Sequence, residues 1–81
     1  MTRGYTERQL ASVVRAAGAA SWQDVLDYLS RHVDGLPDVG PTEIDALRDD
    51  LEEMKRRGER FTLDVRMLYG TIEAIRGVRR S

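Results

Sequence analysis

The chain has 81 residues and a mass of 9.2 kDa, with no cysteine, one histidine, and 13 basic against 14 acidic residues. This length predicts one small domain over 1–81 and excludes a deep enclosed active site, because so short a chain buries only about 60% of its unfolded surface. Without cysteine there is no disulfide framework and no thiolate metal site. No apolar run approaches the roughly 20 residues that cross a bilayer, and the first ten residues lack a signal-peptide core. We therefore expect a cytoplasmic protein with no membrane contact.

The basic residues other than Lys55 are all arginine, and asparagine is absent. This usage is typical of a GC-rich genome and favours a bacterial or phage source. Since a GC-rich genome would itself raise the arginine content, that content is weak evidence for anion binding.

Apolar residues recur at spacings of three and four along the chain, which predicts helices and no strands. The first helix is predicted over 6–17, where Thr6 and Gln9 have the spacing of a capping box. The second is predicted over 21–34, with Ser21 as its N-cap. Both show the apolar stripe and polar face of an amphipathic helix.

The segment 35–41 contains both prolines and is too short to separate two domains. A third helix is predicted over 42–57, capped by Thr42 and ended by Gly58. Most of this helix is charged, so we expect it to lie on the outside. Its narrow apolar stripe consists of Ile44, Leu47, Leu51 and Met54.

The fourth helix, predicted over 62–79 with Thr62 as its cap, is apolar on two sides. One stripe contains Val65, Leu68, Ile72 and Ile75. The second contains Leu63, Met67, Gly70, Ala74 and Val78. Two explanations are open: either this helix is central in the bundle, or the second stripe binds another protein. Gly70 fits both, since a mid-helix glycine costs about 1 kcal/mol relative to alanine and needs a packing reason.

The charge is unevenly distributed along the chain. Residues 1–54 carry 5 basic and 11 acidic residues, and residues 55–81 carry 8 basic and 3 acidic residues. A basic C-terminal third suggests nucleic-acid binding, because phosphate neutralisation dominates such affinities. The candidate contacts are Lys55, Arg56, Arg57, Arg60, Arg76, Arg79 and Arg80. An antiparallel hairpin weakens this interpretation, because it would return the last three beside Asp38, Glu43 and Asp45.

No catalytic, cofactor-binding or metal-binding arrangement is predicted. His32 is the only histidine and has no cysteine to partner it. In the acidic run 45–53, Asp45, Asp49 and Glu52 line a solvated helix face, interleaved with Arg48 and Arg56, and nothing has the spacing of a calcium loop. We expect no enzyme activity, no cofactor and no small-molecule substrate.

The sequence therefore predicts an all-α fold, a compact four-helix bundle that is up-down or partly orthogonal, with the C-terminal helix central. The expected function is a protein-protein interaction or adaptor module, self-associating or part of a larger phage or regulatory assembly. The predicted interface consists of Met67, Gly70, Ala74 and Val78. The alternative is a small nucleic-acid-binding regulator that uses the basic C-terminal third.

Overall fold

The computed structural model describes residues 4–80, and the side chains of 4–77. Four helices follow one another: α1 (Glu7–Ala17), α2 (Trp22–Arg31), α3 (Pro41–Arg56) and α4 (Val65–Arg80). The described residues form no strand, and an isolated bridge joins Leu36 and Val39 in the linker. The predicted all-α four-helix bundle is confirmed.

The first two helices begin at their predicted caps. Thr6 and Gln9 form a reciprocal capping box, in which each side chain accepts a hydrogen bond from the other residue's backbone N–H. The Ser21 hydroxyl accepts from the N–H of Asp24. However, α2 ends three residues earlier than predicted, because the backbone of His32 leaves the helical region and its carbonyl accepts from Gly35.

The linker is a tight turn that orients α3. Leu36 and Val39 exchange two backbone hydrogen bonds, and Val39 is buried. Gly35 has φ 95°, and a Cβ there would lie 2.7 Å from the Val39 carbonyl oxygen, so the turn requires glycine. The helix then begins at Pro41, with the Glu43 carboxylate accepting from the N–H of Gly40.

A Schellman turn links α3 to α4. Gly58, at φ 75°, donates to the Lys55 carbonyl, and Glu59 donates to the Met54 carbonyl. The turn brings the Glu59 carbonyl within 2.7 Å of the Trp22 indole nitrogen, which ties the turn to the start of α2.

Helix α4, counted from its N-cap, begins two residues later than predicted. Its N-cap is Asp64, whose carboxylate accepts from the N–H of Met67 and whose carbonyl accepts from Leu68. The hydroxyl of Thr62, the predicted cap, instead accepts from the N–H of Asp64.

The core lies mainly between α1, α2 and α3, and α4 covers one side of it. Only Leu68 and Ile72 of α4 are fully buried among its described side chains, and the close backbone approaches of α4 are chiefly to α1. The prediction that the C-terminal helix lies at the centre of the bundle is therefore wrong, because the described residues cover only one of its two apolar stripes. The other fully buried large side chains are Leu10, Val13, Val25, Leu29, Val39, Ile44, Leu47, Leu51 and Met54.

The substitution Leu68→Asp tests this packing. Leu68 is 1% exposed, and burying an unpaired charge costs several kcal/mol, which is comparable with the whole stability of a small domain. We expect this variant to be unfolded at 25 °C, so that circular dichroism shows no cooperative transition on heating. The neighbouring Met67→Asp is the matched control and should stay folded, because that side chain points to solvent. A native-like melt of Leu68→Asp would contradict the assignment of the α4 core face.

Candidate functional site

The side of α4 opposite its core face is apolar and uncovered. Leu63 is 63% exposed and Met67 is 61% exposed, and Gly70 and Ala74 are exposed further along the helix. We call these four residues the α4 face. Of the predicted interface, Met67, Gly70 and Ala74 lie on this face. The side chain of Val78 lies outside the described residues.

Packing within the described chain does not explain why position 70 is glycine. A Cβ at this position would meet no atom within 4 Å. A mid-helix glycine lowers helix stability by about 1 kcal/mol relative to alanine, and at this open position no contact within the described residues offsets that loss. The explanation of Gly70 by internal packing is therefore wrong.

Leu63 forms a ridge between two shallow grooves. One, of about 420 Å³, lies against α1 and is lined by Val14, Ala19 and Leu63. The other, of about 570 Å³, lies along the start of α4 and is lined by Phe61, Leu63 and Met67. The α4 face thus continues into concave surface on both sides of Leu63.

The exposed charges Arg66 and Glu73 border the α4 face on one side. They are seven residues apart, so at 100° per residue they project within about 20° of each other. Thr71 lies on the opposite side, where its hydroxyl donates to the Met67 carbonyl within the helix. The two edges of the face therefore differ in charge.

The predicted basic cluster divides between two places. Lys55, Arg56, Arg57 and Arg60 are exposed together at the corner between α3 and α4. Arg56 and Arg57 both pair with Glu53, at 2.6 and 2.8 Å, and Lys55 donates to the Gln23 side chain. The hydrogen bond from Arg57, with the charges of both arginines, lowers the pKa of Glu53 below its ordinary value.

Arg76 lies away from this corner and is engaged in the interior. Its guanidinium donates to both oxygens of the buried Asp50 carboxylate, at 2.9 to 3.2 Å, and the Tyr5 hydroxyl donates to the same carboxylate. The side chains of Arg79 and Arg80 lie outside the described residues.

The predicted neutralisation of Arg76 beside the start of α3 is wrong. Its partner is Asp50, in the second half of α3, and none of the three predicted acids. Asp45 pairs with Arg48 instead, and Glu43 caps α3. The Asp38 backbone carbonyl accepts from the Gln9 side chain.

Other polar parts of the described surface include His32 and a groove between α2 and α3. The ring of His32 contacts that of Tyr28, with centroids 4.3 Å apart and planes tilted by 42°. A groove of about 670 Å³ between α2 and α3 has charges of both signs, from Asp27, Glu52 and Lys55 among others. Within the described residues, no cluster of His, Asp or Glu could hold a metal ion, and no helix is long and apolar enough to span a bilayer.

Two parts of this surface were missed at the sequence level. Leu63 belongs to the second stripe but is not among the four predicted interface residues, and its position four residues before Met67 is the signal that identifies it. Asp50 was interpreted only as part of an acidic run, and no buried position was predicted for it. Its position three residues after Leu47, next to the apolar stripe of α3, indicates that it lies at the edge of the core.

The substitution Arg76→Met tests the network around Asp50. Removing one partner of a fully buried ion pair costs about 3 to 5 kcal/mol, and the 26% exposure of Arg76 reduces the expected loss to about 2 kcal/mol. Urea denaturation measures it. Arg66→Met, on the exposed side of the same helix, is the control and should change stability by less than about 0.5 kcal/mol. Equal stability of the two variants would contradict the structural role of the pair.

Comparison of the chain with protein-family models, with curated proteins and with solved structures finds no match.

Proposed function

We propose that this protein is a non-catalytic protein-protein interaction module and that the α4 face is its contact surface. The observation that carries the proposal is the exposure of Leu63 and Met67, both above 60%, beside a mid-helix glycine whose Cβ would meet no atom of the described residues within 4 Å. An exposed apolar strip with polar edges is typical of a surface that another protein covers.

The two large side chains supply the apolar centre of such a contact. Full burial of a Leu or Met side chain stabilises a complex by about 1.5 to 3 kcal/mol each, before the cost of association. Gly70 and Ala74 contribute little area themselves, but they let a partner's backbone come close to the α4 axis. The α4 face therefore has two large side chains that can pack into a partner, and two small residues beside which a partner's backbone can lie.

The charges around the α4 face supply orientation. Arg66 and Glu73 lie along one edge, and Asp64 and Arg60 lie near the N-terminal end of the helix. Exposed charges at the rim of an interface contribute more to register and association rate than to affinity. The charged exterior of α3 would act in the same way for a partner that extends beyond α4.

We also propose that the protein works in the cytoplasm of a bacterial or phage-infected cell, as part of a larger assembly. The absence of cysteine agrees with a reducing compartment, and the arginine-rich composition agrees with a GC-rich genome.

Nucleic-acid binding through the basic corner is the alternative proposal. It is favoured by the proximity of Lys55, Arg56, Arg57 and Arg60, and weakened by the engagement of the first three with Glu53 and Gln23. We expect no change in the fluorescence anisotropy of labelled DNA or RNA at low ionic strength. Binding that falls as salt rises, and falls further in Arg60→Glu, would instead support the nucleic-acid alternative.

Photo-crosslinking tests the proposed contact surface. A benzophenone amino acid placed at Met67, in cells that express the chain, should form a covalent adduct with a protein. The same group at Val33, which is 54% exposed but lies beyond α2, is the matched control and should give little adduct. Adducts that are absent at both positions, or equal at both, would contradict the proposal.

A further inference from the structure

We infer that the partner of the α4 face is a second copy of this chain, bound so that the two α4 helices run antiparallel with the two-fold axis beside Gly70. This inference rests on the proposed function and names its partner. It follows from two properties of the face, the order of side-chain sizes and the order of charges along it.

Side-chain size changes from one end of the face to the other. The large residues, Leu63 and Met67, occupy the N-terminal end, and the exposed positions that follow on the same side are Gly70, Ala74 and Gly77. In an antiparallel pair centred beside Gly70, each large residue of one copy lies opposite small residues of the other. Met67 reaches the space between Gly70 and Ala74 of the second copy, and Leu63 reaches the space between Ala74 and Gly77. The face is therefore complementary to itself in shape when it is reversed.

The charges have the same property. Arg66 and Glu73 lie on one edge of the face, and the midpoint between them falls beside Gly70. A two-fold axis through an antiparallel helix pair brings like edges together, so Arg66 of each copy meets Glu73 of the other. The register that places large residues on small ones is thus the register that pairs opposite charges.

A parallel pair has neither property. It sets Met67 against Met67 and Gly70 against Gly70, which leaves space beside the glycines. It also places the edge with Arg66 and Glu73 of one copy beside the edge with Thr71 of the other, so that these charges face an uncharged residue. The two properties together therefore select the antiparallel arrangement.

The area available sets the expected affinity. The 16 residues of α4 form a rod about 24 Å long. One pair of helices of this length buries less than the roughly 800 Å² per partner of a standard interface. We expect a weak, reversible dimer with a dissociation constant of about 10 μM to 1 mM, which is a range that sedimentation velocity measures at high protein concentration.

Charge reversal tests the arrangement directly. Each of Arg66→Glu and Glu73→Arg places like charges together twice in the dimer, so each should weaken self-association about tenfold. The double variant restores both pairs with their signs exchanged and should dimerise like the original chain. An equimolar mixture of the two single variants should form a heterodimer that is tighter than either homodimer, because each of the four charges then faces an opposite charge across the interface.

Matched controls separate this result from effects of net charge and folding. Arg8→Glu and Glu52→Arg make the same charge changes at exposed positions outside α4 and should leave the dimer unchanged. Thermal melts of all variants show whether the monomers stay folded. Gly70→Leu should keep the helical fold, because the position is open, and should abolish dimerisation by filling the crossing point.

Two outcomes would overturn the inference. If the single variants self-associate as tightly as the original chain, and their mixture forms no tighter heterodimer, the antiparallel register is wrong. If the chain stays monomeric at millimolar concentration while the crosslink at Met67 joins it to a different protein, the α4 face is an interface but not a self-interface. The proposed function itself fails if Met67 crosslinks to no protein, or no more than the Val33 control does, whether the adduct is a second copy, at twice 9.2 kDa, or another chain.

Discussion

The buried carboxylate of Asp50 is the interaction on which the position of α4 depends. It accepts hydrogen bonds from Tyr5, just before α1, and from Arg76, in the last half of α4. Because the backbones of α3 and α4 make few close approaches, this network joins them through side chains. Arg76 lies on the same side of α4 as Leu68 and Ile72, so the ion pair and the apolar contacts fix one rotation of the helix. That rotation turns the α4 face outward.

The same network explains how a nearly neutral chain accommodates its uneven charge. The acidic N-terminal part and the basic C-terminal part do not neutralise one another along a hairpin. Among the described residues, the buried pair of Asp50 with Arg76 crosses between α3 and α4, while Arg56 and Arg57 share the carboxylate of Glu53 at the end of α3. The buried pair is costly to break because one carboxylate would lose its cation in the interior. The exposed pairs contribute much less, since solvent screens them.

Several features that depend on local chemistry could be predicted from the sequence, but the caps of α3 and α4 were predicted wrongly, because their N-caps are Gly40 and Asp64 and not Thr42 and Thr62. The Thr6 capping box, the Ser21 cap and the glycine stop at Gly58 follow from short-range hydrogen bonding. Features that depend on tertiary packing could not be predicted. Periodicity placed two apolar stripes on the fourth helix but carried no information on which one the other helices cover. The pairing of Asp50 with Arg76 was missed for the same reason, because a spacing of 26 residues has no local signal.

The exposed stripe follows from the size of the chain. A chain of 81 residues has a high ratio of surface to volume, and a helix that is apolar on two sides needs neighbours on both. Here α1, α2 and α3 pack on one another and leave a single surface for α4. A glycine at the centre of the uncovered stripe lowers the stability of the isolated chain, whereas alanine would not. Retaining Gly70 is therefore consistent with a contact made outside the chain, where close approach of a second backbone offsets the loss of helix propensity.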